Sequence, residues 1–151
     1  MVDKKQMRGI INDVLQKLGD KYADPKALDL VYNTGLVESK YVYLKQIKGP
    51  AVGVAQIEPW VGISMIQDYL QYREKLMKKV ADVCKIDWKY FIDPNEEDWR
   101  YILTVNIAAQ IVFCRLHYWR VPKSLPRTLE EQAQQWKVFY NTAKGAGTPE
   151  K

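Results

Sequence analysis

The chain has 151 residues, the length of one domain, and its 47% hydrophobic and 27% charged content is that of a folded globular protein. These figures exclude a disordered or collagen-like chain, and they predict a single domain over residues 1–151 with a loose tail at 145–151. The 23 Lys and Arg residues outnumber the 18 Asp and Glu residues, and the net charge of +5 suits an anionic polymer as partner without saying which one.

The beginning of the chain is typical of two amphipathic helices. Apolar residues recur at helical spacing between residues 4 and 18, and Gly19 is placed to end that helix. Pro25 follows a capping aspartate, so a second helix is expected from there to Glu38. The segment 39–59 interrupts the helical pattern with glycines and prolines and is expected to hold turns or a small hairpin.

The remainder of the chain is predicted to be helical. Pro59 is expected to open one helix, and residues 72–86 to form another with a basic face. Residues 99–119 are apolar on nearly all faces, which predicts one buried central helix, and the capping box from Thr128 to Glu131 opens the last helix. The sequence therefore predicts a mostly α fold of six or seven helices around the central helix, with a small irregular or hairpin segment.

The cysteine and histidine residues are not spaced as in known metal or redox sites. Cys84 and Cys114 lie far apart and match no metal-ligand or redox motif, so both are expected to be buried free thiols. His117 is the only histidine, which excludes a metal site built on several histidines, and no triad context surrounds it. We therefore expect neither a metal nor an organic cofactor.

The first residues carry charges with no apolar stretch behind them, and no run of 18 apolar residues occurs in the chain. We therefore expect a soluble protein without a signal peptide or an integral membrane segment, made in the cytoplasm. Export to another compartment would depend on something outside this sequence.

Four short motifs follow one another in a specific order. They are Glu38-Ser39-Lys40-Tyr41; Ala51, Gly53, Gln56 and Pro59 in register; Asn106-Ile107; and Tyr140-Asn141. In these motifs and their order the chain resembles the lytic transglycosylases of the lysozyme superfamily. Departures from the family pattern bear on the subfamily more than on the superfamily and occur at Pro50, Val54-Ala55, Gln110 and Thr142. The compact length also resembles that of short lytic enzymes carried by bacteriophages.

The resemblance implies a lysozyme-like α+β domain that cleaves the β-1,4 bond between N-acetylmuramic acid and N-acetylglucosamine in bacterial peptidoglycan, leaving 1,6-anhydro ends. It implies Glu38 as the catalytic acid and then the base. The substrate-binding residues that it implies by position are Ser39, Gly53, Gln56, Glu58, Tyr140 and Asn141. The implied partner is the peptidoglycan glycan strand and not a nucleic acid. The implied setting is the bacterial cell wall, where a monomer acts as an endolysin or as part of a virion.

The chemistry sets a requirement for the surroundings of the acid. Cleaving a glycosidic bond requires a proton for the leaving oxygen. A glutamic acid of ordinary pKa, about 4.3, is ionised near pH 7, so the catalytic acid must lie against apolar surface that disfavours its charge. Leu36, Val37, Tyr41 and Tyr140 are the candidates to surround Glu38 in this way.

The other motif residues are expected to bind the sugar or to hold the catalytic carboxyl group. Gly53 is expected to let the backbone approach the sugar, because a Cβ there would fill groove space. Gln56 can donate and accept hydrogen bonds, Tyr140 can donate its hydroxyl to Glu38, and Asn141 can hold a sugar amide. Ser39 is equally suited to bind the catalytic carboxyl or to cap local backbone.

Other interpretations remain open beside this one. A hydrolytic muramidase on the same fold would use Glu58 as a second carboxylate. A lysozyme-like scaffold without activity would be a virion component or a glycan-binding protein, and a basic nucleic-acid-binding protein would show affinity that falls steeply with salt. Without its motif, Glu38 would be interpreted as a solvated surface acid.

Several other polar, aromatic and basic residues are expected to have mainly structural roles. Asn106 in an apolar helix must be hydrogen-bonded if it is buried, so it is expected to brace the catalytic segment rather than to touch substrate. Trp60 is the aromatic residue expected to line the groove, while the other four tryptophans are assigned to packing. Lys75, Lys78 and Lys79 are interpreted as a solvated helix face, with retention on anionic wall polymers as the alternative.

Overall fold

The computed structural model describes residues 3–41, 51–53, 55–120 and 128–141, without the side chains of residues 135 and 139–141. The described residues form eight α-helices: α1 Lys4–Leu18, α2 Pro25–Glu38, α3 Pro59–Asp68, α4 Glu74–Cys84, α5 Lys89–Ile92, α6 Glu96–Val105, α7 Ile107–Trp119 and α8 Leu129–Gln135. A π-helical turn, Trp136–Asn141, follows α8 directly. This confirms the mostly helical class.

The irregular segment between α2 and α3 is described only in part. Within its described residues, Val52 and Ile57 form an isolated antiparallel bridge and no longer strand. The hairpin and the lysozyme-like arrangement therefore remain predictions, and residues 42–50, with Pro50 among them, lie outside the described residues.

The capping signals in the sequence set the ends of the helices as expected. Pro25 is the first residue of α2, where its missing N–H costs nothing. Gly19 ends α1 with φ +143°, a backbone conformation open mainly to glycine. The Thr128 hydroxyl accepts the Glu131 amide at 3.1 Å and so caps α8.

The prediction of one central helix over residues 99–119 is wrong, because the helix breaks at Asn106. This residue ends α6 and begins α7, with φ −101° and ψ 100°. Its Oδ1 accepts the Ala109 amide at 2.9 Å, and its Nδ2 donates to the Cys84 carbonyl, also at 2.9 Å. Apolar periodicity does not register such a break, which depends on the capping ability of one asparagine. Asn106 thus links α4, α6 and α7, and neither of these two bonds reaches Glu38 or residues 51–59. Bracing of the catalytic segment by Asn106 stays a prediction.

The core is built around α7. Residues 109–118 of this helix are all buried, and the helix packs against α1, α2, α4 and α6. Cys84 and Cys114 are both free and buried, as predicted. Of the tryptophans, Trp99 is completely buried against the rings of Phe91 and Phe113, whereas Trp60 is 50% exposed.

Among the described residues, no helix combines the length and the apolar character needed to cross a membrane.

Candidate active site

Glu38, the acid singled out by the sequence, is the last residue of α2 and is partly buried. Its Oε2 accepts a hydrogen bond from Nε1 of Trp136, with a donor-to-acceptor distance of 2.5 Å. The indole of Trp136 is itself buried, with 5% of its surface exposed. The carboxyl group is therefore tied to an element that lies 98 residues further along the chain.

Glu38 also acts electrostatically on Tyr118, near the end of α7. Burial is the main reason that the pKa of Tyr118 is raised well above 10.0; the neighbouring Cys114 and the negative charge of Glu38 raise it further, while a hydrogen bond to Thr34 lowers it. The Thr34 and Tyr118 hydroxyls are 2.8 Å apart. Glu38 thus lies within electrostatic reach of a buried phenol near the end of α7.

The residues expected to surround Glu38 have different positions. Tyr41 is buried, but its hydroxyl donates to the Tyr32 carbonyl at 2.6 Å, and its ring stacks on the Tyr32 ring. Val37 is 39% exposed, and Leu36 is partly buried against the core. The aromatic surface that contacts the carboxyl group is supplied by Trp136, which the sequence assigned only to packing.

A groove of about 520 Å³ runs between α2 and α8. It is lined mainly by apolar side chains and includes Val37, the neighbour of Glu38, and Trp136, its hydrogen-bond partner. The amides of Asn33 and Gln132 bridge the two helices, with Nδ2 to Oε1 at 2.7 Å. A volume of this size is in the range of small-molecule pockets. Glu38 itself is not among the residues that line the groove; its connection to the groove is through Val37 and Trp136.

Gly53 and Gln56 build the turn that precedes α3. Gln56 has φ +50°, is 3% exposed, and donates its Nε2 to the Gly53 carbonyl at 2.8 Å. Gly53 has φ +79°, and a Cβ on it would lie 2.5 Å from the Leu103 carbonyl oxygen and 2.8 Å from the Gln110 side chain. The space over Gly53 is therefore filled by protein atoms. Packing explains why residue 53 is a glycine, whereas the sequence suggested that its missing Cβ leaves room for a sugar.

Gln110 itself is one of the departures from the family pattern. Its Nε2 donates to the Thr104 carbonyl at 3.0 Å, and its Cγ and Cδ atoms lie 2.8 Å from the position that a Cβ on Gly53 would take. The long side chain at 110 is thus accommodated because residue 53 has no Cβ.

Ser39 and Glu58 make local contacts. The Ser39 hydroxyl donates to the Gly35 carbonyl and accepts the Tyr41 amide, both at 3.1 Å, which is the backbone-capping role. Glu58 precedes α3 and accepts Nε1 of the half-exposed Trp60 at 2.6 Å. Contacts of these residues with substrate remain predictions.

The remaining candidates, Tyr140 and Asn141, belong to the π-helical turn, and their side chains lie outside the described residues. Trp136 opens that same turn and reaches Glu38. A signal for it was present in the sequence, since Trp136 precedes Tyr140 by four residues and so lies near the same face of a helix.

The described residues contain no group of three His, Cys, Asp or Glu side chains arranged to hold a metal ion. Comparison of the chain with known protein families, with characterised proteins and with solved structures finds no match.

Proposed function

We propose that this protein is a peptidoglycan lytic transglycosylase. The proposal rests on the four ordered motifs and on one observation above all, the position of Glu38. Its carboxyl group is partly buried at the end of α2, hydrogen-bonded to a buried indole and next to residues that line a groove. A partly buried carboxyl group whose neighbour and hydrogen-bond partner both line a groove is a candidate for the proton donor that glycosidic cleavage requires.

In the proposed reaction the Glu38 carboxyl donates its proton to the oxygen between N-acetylmuramic acid and N-acetylglucosamine. The bond from that oxygen to the anomeric carbon of N-acetylmuramic acid breaks, and positive charge develops on the carbon. The 6-hydroxyl of the same sugar then forms a bond to the anomeric carbon and returns its proton to the Glu38 carboxylate. The products are a 1,6-anhydro sugar and a free 4-hydroxyl, and the acid is restored without consuming water.

The setting of this reaction is the bacterial cell wall, where the protein acts as an endolysin or as part of a virion. The glycan strand is the proposed partner. Glu38 carries both proton transfers, and Glu58 is reserved for a hydrolytic version of the reaction, in which a second carboxylate is required.

Digestion of purified peptidoglycan, followed by mass spectrometry of the soluble fragments, tests the reaction. Anhydro ends support a transglycosylase. Reducing ends would identify a hydrolytic muramidase, and an intact wall would identify a glycan-binding or structural protein.

The role of Glu38 is tested by Glu38→Gln, which keeps the shape of the side chain and an oxygen that accepts from Trp136. We expect ~10²- to 10⁴-fold less cleavage, because the proton donor is lost. Helical circular dichroism and the melting temperature should stay close to those of the unmodified protein. Glu97→Gln is the matched control, since Glu97 is an exposed residue in the first turn of α6. A Glu38→Gln protein that cleaved peptidoglycan at the original rate would show that the acid lies elsewhere.

A further inference from the structure

The hydrogen bond between Trp136 and Glu38 constrains where the carboxyl group can carry a proton. An indole N–H can only donate, so Oε2 of Glu38 is always the acceptor in this 2.5 Å contact. In the neutral acid one oxygen bears the hydrogen, and an oxygen that bears it is the weaker acceptor. The arrangement is therefore most favourable when the proton is on Oε1.

We propose that Trp136 is a positioning residue that holds Oε2 of Glu38 and thereby assigns the transferable proton to Oε1. This inference rests on the proposed function. The two transfers of the reaction then use one atom: the proton leaves Oε1 for the glycosidic oxygen, and the proton of the 6-hydroxyl returns to Oε1. Because Oε2 is fixed to the indole, the carboxyl group does not have to rotate between the acid step and the base step.

The protein holds Trp136 firmly enough for this role. The indole is 5% exposed and lies in the wall of the groove between α2 and α8. Helix α8 is anchored to α2 by the hydrogen bond from Asn33 to Gln132 and is capped by Thr128. A donor held in place by its surroundings orients its acceptor without further loss of side-chain entropy.

The backbone changes its winding at Trp136. This residue is the C-cap of α8 and the first residue of the π-helical turn that ends at Asn141. π-Helical turns are rare in proteins, and those that occur are often found at functional sites. The turn places the indole against a carboxyl group that belongs to the other half of the chain.

Trp136→Phe removes the donor and keeps most of the ring. Trp99→Phe is the matched control, because Trp99 is also buried and also donates its indole N–H, to the Tyr90 carbonyl at 2.9 Å. We expect Trp136→Phe to lower kcat ~10- to 100-fold, which corresponds to the ~1.5–3 kcal/mol of a hydrogen bond to a charged group, and to leave KM nearly unchanged. Trp99→Phe should lower the melting temperature and leave kcat unchanged. An unchanged kcat in Trp136→Phe, or an equal loss of kcat in both variants, would overturn the inference.

A second measurement observes the indole of Trp136 directly, in a protein that keeps all of its tryptophans. The chain has 5 tryptophans, so five indole N–H signals are expected in a proton–nitrogen NMR spectrum. We expect the Trp136 signal, assigned by its absence in Trp136→Phe, to change position in Glu38→Gln, because an amide oxygen then replaces the carboxyl oxygen that accepts from the indole. In Glu97→Gln that signal should keep its position. A Trp136 signal at the same position in Glu38→Gln and in the unmodified protein would contradict the pairing, whereas failure of the unmodified protein to cleave peptidoglycan would contradict the proposed function instead.

Discussion

Replacing Gly53 by alanine adds a methyl group where the structure leaves no space for one. The new Cβ would lie 2.5 Å from the Leu103 carbonyl oxygen and 2.8 Å from two atoms of the Gln110 side chain. The Leu103 carbonyl belongs to α6 and cannot turn away without disturbing the helix. Gln110 is held by its own hydrogen bond to Thr104, so it does not move freely either.

Two costs follow from this geometry. The backbone at Gly53 has φ +79°, where an alanine costs ~1–2 kcal/mol more than a glycine. Forcing a methyl group into filled space costs a further ~1–3 kcal/mol. Gly53→Ala is therefore expected to lower the free energy of unfolding by ~2–5 kcal/mol, a large share of the ~5–15 kcal/mol typical of a domain.

Urea unfolding followed by circular dichroism measures this loss as a lower midpoint with an unchanged slope. Gly9→Ala is the matched control, because Gly9 lies within α1 and a Cβ there would meet nothing within 4 Å. That variant should be more stable by ~1 kcal/mol through helix propensity. Adding Gln110→Ala to Gly53→Ala should restore part of the loss, with a coupling of ~0.5–3 kcal/mol.

The result decides why residue 53 is a glycine. If Gly53→Ala kept its stability within ~0.5 kcal/mol while peptidoglycan cleavage fell, the packing argument would be refuted and close approach of the sugar would be the reason.

Two further predictions concern buried ionisable groups. Burial raises the pKa of Cys84 from 9.0 to about 12, so its contribution to stability is complete below pH 9 and is lost as the pH rises toward 12. Urea midpoints should fall above pH 9, and Cys84→Ala should reduce the fall between pH 9 and 10, before the buried phenols of Tyr22, Tyr41 and Tyr118 contribute. An equally steep fall in both proteins would contradict this assignment. Arg115 is 1% exposed, and its Nε donates to the Tyr22 carbonyl. Its Nη1 and Nη2 find no hydrogen-bond partner among the residues that the structure describes. Arg115→Met should therefore be equally stable or up to ~4 kcal/mol more stable, whereas Arg115→Ala should lose ~2–5 kcal/mol through the cavity; a clear loss of unfolding free energy in Arg115→Met would show that the guanidinium stabilises the fold.

Local sequence signals determined most of the helices. Capping residues and prolines set the beginnings of α2 and α8. The apolar stretch 99–119 indicated a buried helix, which the structure shows as α7 and the end of α6. The two cysteines were correctly assigned as buried free thiols. Each of these features depends on residues within a few positions of one another, because helix period and capping are local properties.

Features that depend on distant residues were decided only by the tertiary structure. Asn106 breaks the expected central helix in a place where its side chain also finds the Cys84 carbonyl, 22 residues away. Gly53 is required by the packing of Leu103 and Gln110, which no local pattern indicates.

In the candidate site, too, local sequence indicated some features and distant contacts decided others. The sequence motif indicated Glu38, and the helical pattern of residues 25–38 predicted the end of α2. The hydrogen bond from Trp136 joins residues 98 positions apart and exists because α8 packs beside α2. Periodicity reports which face of a helix is apolar, but it does not report which helix will cover that face, and that choice supplies the indole that holds the carboxyl group.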